Sequence, residues 1–193
     1  MAWHARLAAS NASRWMNCTG SPGLIASLPE GGNRQSKFAA LGTAAHHLGA
    51  YCLLNNKESA FDGLGECIHI VGGDAYFSWD LDMPPLEAEY KFVVDNDMAD
   101  AVDVYLNLVA RLREEVPGDE ERIEQRLDMS WLNEAFGGTA DYIKPEPFGT
   151  LYVVDYKHGS GVLVEVTDNY QLRKYAVGAL HLYPDCDSVC VYI

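Results

Sequence analysis

Asp155 and Lys157 stand two residues apart at the end of an apolar, β-prone run over 151–157. Side chains of a strand alternate between its faces, so both residues are expected to project from the same face. A carboxylate and an ammonium placed this way form either a structural ion pair or two parts of a site for a negatively charged substrate. Asp141 lies in the preceding predicted strand, 138–143, across a turn containing Pro145, Pro147 and Gly149. Hairpin pairing brings Asp141 beside Asp155. Two neighbouring carboxylates repel unless a cation sits between them. Mg²⁺ or Mn²⁺ takes hard oxygen ligands and keeps several waters, and a lysine beside it can hold or orient a phosphate or a hydroxide. Together these are the parts for metal-assisted phosphodiester hydrolysis.

Several elements must position these groups. A strand over 123–129 precedes 138–143, and Gly159, Ser160 and Gly161 break the third strand before an extension over 162–166. A helix over 168–182 and a last strand over 188–193 follow. Upstream, 10–17 reads as a short helix, 19–23 as a turn, and 29–35 as a mobile loop. A helix over 36–54 places Phe38, Leu41, Ala45, Leu48 and Cys52 at core spacing. Its second stripe, Gly42, His46, Gly49, Ala50 and Leu53, is small apart from one imidazole, so a neighbour is expected to pack very close there. Met98, Val102, Tyr105, Val109, Leu112 and Val116 form the core stripe of a helix over 97–116. Residues 56–94, with Gly72-Gly73 and Pro84-Pro85, read as irregular structure or small strands within an insertion. The expected fold is α/β, one domain over 1–193 with 56–94 inserted.

Composition narrows the classes. The chain has 193 residues, is 48% hydrophobic and carries a net charge of −14, which suits a globular domain and not a disordered one. No apolar run is long enough to span a bilayer, and the start lacks the apolar stretch of a secretory leader, so the cytoplasm is expected and a membrane is not. Five cysteines at irregular spacings (Cys18, Cys52, Cys67, Cys186, Cys190) read as reduced thiols. The charge is uneven. Residues 1–57 hold five Lys or Arg and a single acid, Glu30, whereas 58–135 hold twenty acids and five basic residues. An acidic chain disfavours non-specific nucleic-acid binding, but the acid is concentrated in the middle third, which leaves room for one basic face.

Gly138-Thr139-Ala140-Asp141 followed by Asp155-Tyr156-Lys157 resembles the G-x-x-D … (D/E)-x-K motif of the PD-(D/E)XK nuclease superfamily. Gln171-Leu172-Arg173-Lys174-Tyr175 is similar to the Q-x-x-x-Y motif of its RecB-type exonuclease branch. Gly42-Thr43-Ala44-Ala45-His46 is similar to that branch's helix with a metal-binding histidine, and Ser10 to Cys18 to its N-terminal helix. The wider pattern, Asn96 to Tyr105 and Asp155 to Leu172, resembles phage-borne nucleases of this branch.

The resemblance implies a restriction-endonuclease-like core: helix, three-stranded mixed sheet, helix, strand, after an N-terminal helical region and with an inserted acidic segment. It implies a Mg²⁺- or Mn²⁺-dependent deoxyribonuclease, an exonuclease acting on linear duplex or single-stranded DNA in phage recombination or processing, with room for a recombination partner. His46, Asp141 and Asp155 would be metal ligands, with the Tyr156 carbonyl a fourth. Lys157 would orient the attacking water and stabilise phosphate charge, and Gln171 and Tyr175 would contact DNA near the cut. Glu124 could reach a second metal or stay a solvated strand residue. His46 could equally be a buried, hydrogen-bonded imidazole, and Gln171 and Tyr175 packing residues. His47 is read as background. An iron–sulfur cluster is not expected: Cys18 matches the early ligand of some relatives, but only Cys186 and Cys190 remain of the late triplet. The end at Ile193, inside a strand, reads as a truncated or naturally short form. Two rivals remain: an inactive relative that binds DNA ends or a protein, and an acidic DNA mimic that binds a partner without turnover.

Overall fold

The structure is a computed structural model that describes residues 5–28, 35–82, 87–159 and 164–193. It is a mixed α/β fold. In chain order the elements are β1 (Leu7–Ala8), α1 (Ala12–Asn17), α2 (Ser21–Ala26), α3 (Lys37–Leu54), β2 (Cys67–Val71), β3 (Asp74–Phe77), β4 (Tyr90–Val93), α4 (Asn96–Glu115), β5 (Arg122–Asp128), β6 (Phe136–Pro145), β7 (Thr150–Val154), α5 (Tyr170–Leu182) and β8 (Ser188–Tyr192). The loop expected over 29–35 lies, apart from Gln35, outside the described residues, as do Pro84, Pro85, Ser160 and Gly161. Of the strand expected over 162–166, the described part, 164–166, is not a strand. Of the turn expected over 19–23, Thr19 and Gly20 are a turn, whereas Ser21, Pro22 and Gly23 begin α2, where Pro22 fits the first helical turn because the missing N–H has no helical partner there. Among the described residues no helix is long and apolar enough to cross a membrane.

The chain divides into two compact units, one built from Arg34–Arg111 with Tyr156–Gly161, the other from Trp3–Asn33, Leu112–Asp155 and Val162–Ile193. In the first unit α3 packs on an antiparallel sheet of order β3-β2-β4. Residues 56–94 therefore carry ordered strands, and Gly72-Gly73, both at positive φ, make the tight β2–β3 turn. Ser36 caps α3 by accepting from the Ala39 N–H. The buried face of α3 is Ala40, Ala44, Ala45, Leu48, Gly49, Cys52 and Leu53. Phe38 is 85% exposed, which corrects the expected core stripe. The helix buries small residues, and the large side chain in its first turn falls off that face. The close neighbour expected along the small stripe is present at Gly49, where a Cβ would stand 3.1 Å from the Tyr105 ring of α4, and, among the described residues, absent at Gly42. All six stripe residues of α4 are buried.

The second unit is a five-stranded mixed sheet. Its path is β1-β6-β7-β8, with β5 on the free edge of β6. β5, β6 and β7 are antiparallel neighbours, while β1–β6 and β7–β8 are parallel. α5 covers one face, and its Ala179 and Tyr175 join Leu127, Met129, Ala140, Ile143, Leu151 and Val153 in one core. Gly178 lets α5 approach until a Cβ would meet Leu127 at 3.1 Å.

Lys174 ties the N-terminal segment to this unit. It is 9% exposed, donates to the Leu7 carbonyl, and sits over the rings of Phe136 (4.2 Å) and Trp15 (4.8 Å). Burial pulls its ammonium down to about 8. Below that pH the folded and unfolded chains are both charged, and the folded state bears the full desolvation cost. Between there and the ordinary lysine value the unfolded chain binds more protons, so stability rises with pH. Urea unfolding from about pH 7 to about pH 10 is expected to show this rise in the parent and a flatter profile in Lys174→Met. Parallel profiles would refute it.

Candidate functional site

The register of the second unit places three acids in a row. Asp141 is the position opposite Asp155 when the β6–β7 register of Tyr142 with Val154 is continued by one residue. On the other edge of β6, Ile123 pairs with Tyr142 and Gln125 with Ala140, so Glu124 stands opposite Asp141. That one pair is missing from the ladder. Glu124 has φ 50°, a left-handed conformation inside a strand, which costs a non-glycine residue on the order of 1 kcal/mol or more. β6 itself runs unbroken from Phe136 to Pro145. The charges of Asp141 and Asp155, neighbours in register, both act on the Tyr175 phenol of α5.

Asp141 is 6% and Asp155 2% exposed. Glu124 is exposed, and it and Asp141 each offer a carboxylate oxygen, the two lying within 4.8 Å of each other. The Asp155 N–H donates to the Tyr192 carbonyl at 3.0 Å, so pairing with the edge strand β8 runs one residue past β7 and holds that backbone.

α5 supplies the underside. Asn169 accepts from the N–H groups of Gln171 and Leu172 and starts the helix there. Gln171 Nε2 then donates to Asp155 Oδ1 (3.2 Å) and to the Tyr175 hydroxyl (3.0 Å). Tyr175 is 4% exposed. Burial first, then the charges of Asp155, Asp141 and Glu124, push its phenol above the ordinary value, so it stays a neutral hydroxyl beneath the acids. Its ring fits because residue 138 is glycine: a Cβ there would stand 2.8 Å from the ring. Sequence reasoning missed Asn169, although an Asn ahead of an apolar helical repeat is an N-cap signal. It also missed the packing need for Gly138, which an isolated glycine in a strand announces.

Farther along β6, Tyr142 donates to Glu121, which also pairs with Arg113 (2.6 Å), and Lys144, 2% exposed, donates to the Gly118 carbonyl. This network anchors the connection from α4 to β5.

The remaining candidates lie in the first unit. The strand expected to run to 157 ends at Val154, so Lys157 lies beyond it and is exposed. The strand-face alignment with Asp155 expected of Lys157 is corrected accordingly: two glycines follow within a few residues, and the pairing ends before them. His46 stacks on the ring of Tyr156 (5.2 Å), which also stacks on Tyr105 (5.2 Å). The Tyr156 hydroxyl is 3.0 Å from His158 Nδ1. Burial lowers the imidazole pKa of His158; the His46 charge adds to that, and Asp95 opposes it. His47 turns elsewhere, 3.8 Å from Asp80 and against the Phe77 ring.

The class defined by these features is a mixed α/β protein whose second unit carries an acid row across three antiparallel strands. The family model DUF2800, described as a protein of unknown function, matches residues 4–193, and the chain belongs to that family. No solved structure matches it.

Proposed function

We propose that the protein is a divalent-metal-dependent deoxyribonuclease with a restriction-endonuclease-like core, acting as an exonuclease on linear DNA. The observation that carries this reading is the cross-strand row Glu124–Asp141–Asp155, Asp141 and Asp155 buried, at a level where β5 turns left-handed and its pair with β6 is missing. A stable sheet has no need of three acids side by side, since like charges opposite one another destabilise it. The donors are hard oxygens, which fit Mg²⁺ or Mn²⁺ better than thiophilic metals. A bound ion of this class would lower the pKa of a water and neutralise phosphate charge.

The chain's own residues have distinct parts in the proposal. Asp141 and Asp155 bind the ion, and Glu124 gives it, or a second ion, a more exposed oxygen. Gln171 fixes one oxygen of Asp155, and Tyr175 in turn accepts from Gln171, so the helix sets the carboxylate's orientation. His46 and the Tyr156 carbonyl complete the ligand set by the resemblance, and Lys157 stabilises charge on the scissile phosphate.

Two measurements test this. Thermal unfolding with Mn²⁺ should show a rise in Tm, equivalent to about 2.7 kcal/mol at a hundredfold excess over Kd, and Asp141→Asn should lose it. Labelled linear duplex should be degraded in Mg²⁺ or Mn²⁺ while covalently closed circles survive. Rapid linearisation of closed plasmid would make the enzyme an endonuclease. No turnover, with intact Mn²⁺ binding, would favour the inactive DNA-end-binding relative.

A further inference from the structure

Trp79, just past β3 in the first unit, is an exposed tryptophan that is held still. Its ring stacks on Phe77 at 4.8 Å with an interplanar angle of 6°, and Tyr51 of α3 stands edge-on to both rings. Phe77 is 2% exposed and Trp79 49%. The indole N–H donates to Glu66 Oε2 at 3.1 Å. Behind the ring the chain turns tightly: the Phe77 N–H donates to Asp80 Oδ2 (2.6 Å), and the Asp80 N–H returns to the Phe77 carbonyl (3.0 Å). A large side chain fixed on one face and along its edge has little rotamer freedom left to lose when a ligand settles on its other face. Among the described residues no ring and no Lys or Arg lies over that face.

Charge decides what can settle there. Residues 58–82 hold six acids and no Lys or Arg. Lys57, just ahead of them, is paired with Asp62 at 3.5 Å. Lys91 is the single Lys or Arg of 58–110. It pairs with His69, whereas Phe77 pairs with Ile68, and adjacent residues of a strand project from opposite faces, so Lys91 stands on the far side of the sheet. Burial lowers the imidazole pKa of His47, which lies against the Phe77 ring, and Asp80 opposes that shift. Asp80 is occupied in the turn. Glu66 is exposed, and its Oε1 accepts no hydrogen bond among the described residues.

A nucleobase would stack on the indole, but its phosphates would enter a field of the wrong sign. A quaternary ammonium prefers rings on several sides, and here one ring face is open. A guanidinium is planar, lies flat on an indole, and carries N–H donors at its edge for a carboxylate. We propose that Trp79 and Glu66 receive an arginine side chain presented by a basic segment of a partner protein. This goes beyond the nuclease reading and does not depend on it.

The probe is a short fluorescein-labelled peptide alternating arginine and glycine, read by anisotropy with the full chain. Binding should be saturable and should weaken with salt. Trp79→Ala should weaken it roughly tenfold, and Glu66→Gln roughly threefold. The same peptide with lysine for arginine, equal in charge but unable to lie flat on the ring, should bind at least roughly threefold more weakly. Asp185→Asn, which removes an exposed acid of the second unit, should keep the parent affinity. Circular dichroism checks that each variant is folded, and Glu66→Gln, a change of similar size at an exposed position, keeps the test decisive if Trp79→Ala does not fold. The proposal is overturned by absent binding, by equal binding of the lysine peptide, by parent affinity in Trp79→Ala or Glu66→Gln, or by equal losses in Glu66→Gln and Asp185→Asn, which would reduce the binding to net charge. It is also overturned if the chain alone dimerises in sedimentation and Trp79→Ala abolishes the dimer, which assigns the face to a second copy.

Discussion

Lys157→Ala is expected to lower kcat by roughly 10²–10³, the scale of losing one preorganised electrostatic donor, while Mn²⁺ affinity stays at or above the parent value. The asymmetry follows from charge. An ammonium cannot ligate a cation, and its removal lowers the repulsion any nearby cation feels. In the proposed nuclease its contribution would belong to the transition state, where negative charge builds on phosphoryl oxygens. Asp155→Ala is expected to lose ion binding and cleavage together, since Asp155 is 2% exposed and oriented by Gln171. Calorimetric titration of Mn²⁺ beside single-turnover cleavage separates the two variants. Parent-rate cleavage by Lys157→Ala would leave Lys157 a surface lysine and remove the catalytic reading of 155–157.

The second large effect is expected at Gly138, which contributes no chemistry. A methyl there would stand 2.8 Å from the Tyr175 ring and 3.0 Å from the Ala9 Cβ. Overpacking of this kind costs about 1–3 kcal/mol, so Gly138→Ala should lower Tm by several degrees. The displaced ring carries the hydroxyl that accepts from Gln171, and Gln171 carries Asp155. Mn²⁺ affinity should therefore fall as well, even at temperatures where the variant is fully folded. A variant with lower Tm and parent Mn²⁺ affinity would confine Gly138 to packing and break the proposed link from α5 to the acids.

The sequence made the periodic elements legible. α4 could be read because its apolar residues step by four and three for five turns, and a long amphipathic stripe leaves little choice of face. The sheet strands were legible from β-prone runs between Gly and Pro turns. Errors came where a local signal competed with packing. Phe38 fits the apolar repeat of α3, but that helix buries alanines and Gly49, and only the tertiary neighbour, Tyr105, reveals it. Residues 56–94 read as irregular structure or small strands, and they carry small strands of four or five residues, too short for alternation to choose between the two in advance. At the candidate site, Asp141 and Asp155 were placed by counting along a hairpin, and the register agrees. The left-handed Glu124 was not legible, because no propensity puts a glutamate there and only the surrounding sheet can hold it.

That interruption at Glu124 also bears on how the sheet breathes. Backbone amides paired within a sheet exchange with solvent only when it opens, and the ladder between the edge strand β5 and β6 contains a ready-made gap, flanked by the Ile123–Tyr142 and Gln125–Ala140 pairs. β5 is in effect two short ladders joined at one left-handed residue, and each can detach without the other. Deuterium uptake should therefore be faster at this level of β5 and β6 than along β7 and β8, although β8 is an edge strand as β5 is. An ion held jointly by Glu124 and Asp141 would splice the two halves, slowing uptake at the gap and leaving the β7–β8 amides as they were.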